Sequence, residues 1–202
     1  MCGRYVIQDT RDWRPIWDAL NRSPLAARFP QGSVRMTPGD VCPSDVAPVI
    51  ASNRAGEKTV FPMKWGFSGK TLLINARTET ASLKPTFREA WAAHRCIVPA
   101  SSYYEWEHLT GPDGKKKTGA QYILRPKDAS MTWLCGLYRM EDGLPHFVIL
   151  TREAAGELRF IHDRMPLMLP EQYINDWINP ASRPEDLISA AENRIGFEKT
   201  AG

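Results

Sequence analysis

VAPVIAS at 46–52 and TVFPMKW at 59–65 are short runs dense in β-branched and aromatic residues. Side chains of that kind fit a pleated, half-buried surface, so both runs are predicted strands. The same signature recurs on either side, at Gly3–Ile7, Leu72–Asn75, Cys96–Val98, Tyr103–His108, Gln121–Leu124, Met131–Arg139 and Phe147–Thr151. Between two of these, His108–Gly119 carries GPDG and three lysines and is predicted to be a hairpin loop. Helices are fewer. Thr86 and Glu89 have capping-box spacing and predict a short helix to about His94. Pro170 and Pro184 suit first-turn positions and open predicted helices near 170–178 and 184–193, and 13–21 is a further candidate if Pro15 sits in its first turn. Strands spread along the whole chain, with helices between and after, predict an α+β fold. Its core is a mostly antiparallel, β-barrel-like sheet with flanking short helices, in a single domain over 1–202.

Composition narrows the functional classes. Of 202 residues, 43% are hydrophobic and 24% charged, a globular balance that excludes disorder and fibre repeats. No apolar run nears the roughly 18 residues that span a bilayer, and the start lacks a signal-peptide core, so the expectation is a cytoplasmic protein without membrane contact, read as a monomer. Cys2, Cys42, Cys96 and Cys135 lie far apart without CxxC spacing, which argues against a zinc site or a disulfide framework. A net charge of +3 admits an anionic partner without requiring one.

The N-terminus carries the most distinctive chemistry. Cys2 follows the initiator methionine, and a small second residue normally permits that methionine's removal. The freed α-amine, with a pKa of about 7.7–8.0, would be roughly a tenth to a fifth unprotonated at pH 7. Beside it stands a thiol of ordinary pKa about 8.5. Such a 1,2-aminothiol condenses with an aldehyde to an imine and closes through sulfur to a thiazolidine. Taken alone, Cys2 is only a small residue near a chain end; its neighbours change the weighting. Glu105 sits among Tyr103, Tyr104 and Trp106, where desolvation favours a protonated acid, while His162 precedes Asp163 and Arg164. Asn75 and Arg77, two apart on a strand, face the same way.

Six motifs in order, MCGRY at the start, MKWGF (63–67), INARTET (74–80), CIVPASSYYEW (96–106), WLCGLY (133–138) and IHDRMPLML (161–169), resemble the SRAP family. These are the SOS-response-associated peptidases, understood as abasic-site-processing proteins. The resemblance implies a barrel-like core with a positive groove for single-stranded DNA. It implies that Cys2 cross-links to abasic sites, that Asn75 orients the reacting cysteine, and that Glu105 and His162 handle protons. It further implies that Arg4 and Arg77 contact phosphate or sugar, that Thr151 supplies a hydroxyl to the DNA site, and that no metal or organic cofactor is needed. Three departures stand out: Arg35 replaces a usual asparagine, SGKTLL between WGF and INAR is short, and Ser101-Ser102 replaces the common DG. Two other readings stay open. One is an N-terminal-nucleophile hydrolase or cysteine peptidase using Cys2 and His162. The other is a non-covalent reader of modified single-stranded DNA that stacks bases on Trp65, Tyr103 and Tyr104.

Overall fold

The computed structural model describes residues 2–111 and 114–200, with Lys116 described by its backbone alone. In chain order the elements are β1 (Tyr5–Ile7), a 3-10 turn leading into α1 (Arg14–Asn21), β2 (Gly39–Val41), β3 (Val46–Ser52), β4 (Lys58–Trp65), β5 (Asn75–Arg77), α2 (Thr78–Ala81) and α3 (Arg88–Ala93). There follow β6 (Arg95–Ala100), β7 (Ser102–Thr110), β8 (Lys116–Pro126), β9 (Thr132–Glu141), β10 (Leu144–Glu153), β11 (Arg164–Pro166), α4 (Ile174–Ile178), α5 (Pro184–Ile188) and β12 (Ile195–Lys199). Among the described residues no helix is long and apolar enough to cross a membrane.

Strands β10, β4, β3, β6 and β9 pair in that order, and β9 pairs back with β10, closing a barrel of five strands. Closure removes the exposed edges of this sheet. Because the barrel is filled inside and covered outside, β3 is buried at six successive residues, which is why its sequence runs apolar instead of alternating. Gly136 on β9 is required by the tightness of the wall: a Cβ there would stand 2.8 Å from the Val148 carbonyl and 3.0 Å from the Cys96 sulfur. The β9–β10 turn uses Asp142 and Gly143, both at positive φ, the geometry that matches strand twist in a two-residue hairpin. The second sheet, β12-β8-β7-β1-β2, lays the N-terminal strand against the barrel. The α+β class, the barrel and the predominance of antiparallel pairing are as the sequence predicts; among the strands β10 alone pairs in parallel, with β4 and β5.

Several local expectations are corrected. The capping box does not form, and α3 starts at Arg88 with Phe87 before it, because Phe87 is buried and the Lys84 carbonyl already accepts the Phe87 and Arg88 amides. The predicted strand 72–75 begins instead at Asn75. Ahead of it Gly66, at φ 118, lets the Leu72 side chain fold over it, and only Leu73 bridges back to Phe67. The last helix stops at Ile188, since the Glu192 amide is drawn to the Met168 carbonyl and the chain returns to form β12. The β7–β8 loop is shorter than predicted, closed by Gly111 donating to the Lys115 carbonyl; Pro112 and Asp113 of its GPDG lie outside the described residues. Pro15 and Pro184 do occupy first turns.

Candidate active site

β1 runs antiparallel to β7 with Tyr5 opposite Tyr103, and the Tyr104 amide donates to the Arg4 carbonyl at 2.9 Å. This register carries Cys2 back alongside Glu105. From the other side, β5 pairs in parallel with β10, Asn75 beside Ile149 and Arg77 beside Thr151. The indole of Trp65, buried in the barrel, donates to the Ile74 carbonyl at 3.0 Å and so fixes the entry to β5. Asn75 then reaches across and its Nδ2 donates to the Cys2 carbonyl at 2.9 Å. The segment before β11 closes the site: the His108 amide donates to the Ile161 carbonyl at 2.9 Å, and the imidazoles of His108 and His162 lie 4.0 Å apart, centroid to centroid. Four residues from four remote segments, Cys2, Asn75, Glu105 and His162, thus meet.

The site is dry. Cys2, Glu105 and His162 are buried, and Asn75 is half-buried. Burial pushes the Cys2 thiol up to about 12, and the nearby Glu105 carboxylate adds to that. Burial holds the His162 imidazole down at about 4, helped by neighbouring positive charge, His108 included. His162 Nδ1 is 2.9 Å from the Arg164 amide and 2.7 Å from Asp163 Oδ1. One nitrogen cannot serve both. The amide is fixed and Asp163 is 85% exposed, so in the neutral ring Nδ1 accepts from Arg164 and the proton sits on Nε2. Two buried phenols, Tyr5 and Tyr103, are pushed well above their usual range by burial and by the Cys2 thiol. Their hydroxyls and Asn75 Oδ1 have no hydrogen-bond partner among the described residues. Unpartnered buried polar atoms are uncommon in folded proteins, and these three lie close to Cys2. Among the described residues one trio of metal-type donors stands together, Glu105, His108 and His162.

The remaining expected residues are placed differently. Arg77 is exposed at the end of β5. Arg4 is partly exposed, 3.4 Å from Asp40, with its guanidinium 5.6 Å from the Tyr104 ring and 5.5 Å from that of Trp106. Thr151 is fully buried and its hydroxyl donates inward to the Ala76 carbonyl at 3.4 Å. Of the proposed stacking aromatics, Trp65 and Tyr103 are core; Tyr104 alone is partly exposed. Cys42 is only half-buried, unlike Cys96 and Cys135.

Sequence reasoning passed over a surface aromatic group. Tyr122, Phe160 and Phe197 pack edge to face at 5.4 to 6.1 Å, and Phe160 and Phe197 remain 48% and 38% exposed. Tyr122 is the strand partner of Glu105 and Phe160 is two residues from His162, so the group flanks the site. Its members come from three distant segments, and no local pattern announces them. Two departures also acquire jobs: Arg35 pairs with Asp45 at 3.1 Å, and the Ser101 hydroxyl accepts from the Gln8 amide and the Trp13 indole.

The chain is similar to proteins of known family. It is 29% identical over 207 positions to the abasic site processing protein YoaM of Bacillus subtilis (strain 168), covering 94% of this chain and 84% of that protein. It is 28% identical over 190 positions to the abasic site processing protein YedK of Escherichia coli (strain K12), covering 88% and 79%. The crystal structure of a phage-related protein from Bordetella bronchiseptica has the same fold, with a TM-score of 0.74 at 22% identity over 100% of this chain and 95% of that one. The family profile described as SOS response associated peptidase (SRAP) matches residues 1–197 in a single span, and the chain belongs to that family.

Proposed function

We propose that this protein captures abasic sites in single-stranded DNA as a covalent adduct through Cys2. The observation that carries the reading is the Asn75 grip on the Cys2 carbonyl, with Glu105 and His162 beside it and polar atoms left without partners. The names of the relatives point to the same substrate. With Met1 removed, the Cys2 α-amine adds to C1 of the ring-opened sugar, and water leaves to give an imine. The thiol then adds to the imine carbon and its proton passes to nitrogen, closing a thiazolidine. Glu105 and His162 move the protons of ring opening and dehydration; Asn75 holds the cysteine in register. Arg4 and Arg77 meet phosphates, and the Phe160 group gives unpaired bases a face to stack on.

The shifts at the site support an order of events. Burial raises the Cys2 thiol to about 12, which favours attack by the amine first and by sulfur second. A cysteine peptidase needs the opposite, a lowered thiol beside an imidazolium, whereas here His162 is held neutral.

The test uses single-stranded DNA with one abasic site and a denaturing gel. The chain freed of Met1 is expected to give a stable adduct, and a chain retaining Met1 none. Cys2→Ala, keeping its amine, is expected to form an imine trapped by borohydride but no stable adduct. Glu105→Gln and His162→Ala are expected to slow imine formation by roughly 10²–10⁴-fold. A stable adduct from Cys2→Ala, or efficient cross-linking by a Met1-retaining chain, overturns the thiazolidine.

A further inference from the structure

Glu105, His108 and His162 offer three ligand atoms that all lie within 4.8 Å of one another. His108 is used by no step of the proposed reaction, and its presence in the cluster needs explaining. In a regular strand, residues three apart point to opposite faces, so Glu105 and His108 would diverge. The register of the β7–β8 ladder shifts between Trp106 and His108, which breaks the alternation. In the same interval the His108 amide bonds across to the Ile161 carbonyl, and its ring comes to lie over His162.

We propose that these three side chains form a binding site for a divalent transition ion of the zinc class, and that the bound ion switches cross-linking off. Two imidazoles and a carboxylate are an open three-ligand set, with the fourth position left to water. Ligand atoms about 2.0–2.2 Å from such an ion stand roughly 3.4 Å apart, so the trio needs to close by little more than about 1 Å. His108 is exposed and free to make that move, and its exposed side gives the ion a way in. A carboxylate already stands behind one ligand: Asp163 Oδ1 is 2.7 Å from His162 Nδ1. When the ion takes Nε2, the ring proton moves to Nδ1, which gives up its hydrogen bond from the Arg164 amide and donates instead to the Asp163 carboxylate, a charge-assisted bond that orients the ring toward the metal. Hard ions such as Mg²⁺ prefer all-oxygen shells and are not held here. Inhibition follows because Glu105 and His162, once bound to the ion, no longer accept or donate protons; this half of the proposal rests on the function proposed above.

Binding is read first without DNA, on the chain freed of Met1, by equilibrium dialysis with Zn²⁺ and by the ligand-field absorption of Co²⁺. The wild type is expected to bind one ion with a tetrahedral Co²⁺ spectrum, and His108→Ala to bind at least about tenfold more weakly. Cross-linking by the wild type is then expected to stop with equimolar Zn²⁺, to return with EDTA and to ignore Mg²⁺. His108→Ala is expected to cross-link at one rate, its own, with and without Zn²⁺. Equal Zn²⁺ affinity in wild type and His108→Ala, or wild-type cross-linking unmoved by saturating Zn²⁺, overturns the proposal. If the ion binds through His108 but no cross-link forms under any condition, the metal site stands and the abasic-site reading falls.

Discussion

His162 shows how burial tunes a single residue at this site. The residue is 6% exposed, its Nδ1 is occupied by the Arg164 amide, and its pKa falls from 6.5 to about 4. A histidine whose folded pKa lies below its unfolded one is neutral when folded while the unfolded chain takes up a proton. Stability is therefore full above about pH 6.5 and falls as pH drops toward 4. Urea melts between pH 7 and 4.5 are expected to show this slope in the wild type and a flatter one in His162→Gln. Equal slopes would mean that the ring titrates normally. Burial likewise raises the Cys2 thiol, so desolvation pushes an acid and a base to their neutral forms together.

Two arginines tie elements together, and one of them does so beside the site. Arg95, 2% exposed at the head of β6, donates to the carbonyls of Trp91 and Ala92 at the end of α3 and to those of Trp177, Asn179 and Ser182 around α4. A planar fork of five N–H groups matches those acceptors where an ammonium of three cannot. Arg95→Lys is expected to cost about 2–4 kcal/mol in urea denaturation, from buried carbonyls left unsatisfied. Arg164 on β11 makes a bidentate pair with Glu79 on α2, at 2.7 and 2.9 Å, and donates to the Thr151 carbonyl at 2.7 Å. This clamp holds β5, and so Asn75, against β10. The hydrogen bonds from Arg164 lower the Glu79 carboxyl. Its contribution is present above the unfolded carboxyl pKa and is lost as pH falls through the lowered one. Because Glu79 is 45% exposed, Glu79→Gln is expected to cost only about 1 kcal/mol at pH 7, measured by thermal melting. The difference from wild type is expected to shrink below pH 4, and a constant difference would refute the clamp's charge.

For the whole molecule, the barrel and the β1–β7 sheet act as two jaws that bring the N-terminus to a strand pair with free hydrogen-bonding atoms. Arg4 and Arg77 are the residues proposed to meet phosphate, so single-stranded DNA is expected to bind with a salt slope of about −0.7 per phosphate contacted, summing to only a few contacts. Fluorescence anisotropy across a salt series tests it, and Arg77→Ala is expected to reduce the slope by one contact. Equal affinity for duplex and single strand would favour a plain electrostatic surface. Much of this architecture was legible beforehand. Strand periodicity marks eight of the twelve strands among the described residues and meets β5 only at Asn75, since pleated packing imposes residue types locally. Cys2, Asn75, Glu105 and His162 stand out through the six ordered motifs that carry the family resemblance, since each of them alone has an ordinary structural reading. The missing strands β2, β11 and β12 are only three to five residues long and exist through their partners, so no local pattern marks them. Tertiary structure alone decided that β9 returns to β10, that Thr151 points inward, that Phe160 and its neighbours share a surface, and that His108 joins Glu105 and His162. Closure, burial and pKa depend on distances between residues remote in sequence, and a linear pattern holds no record of those distances.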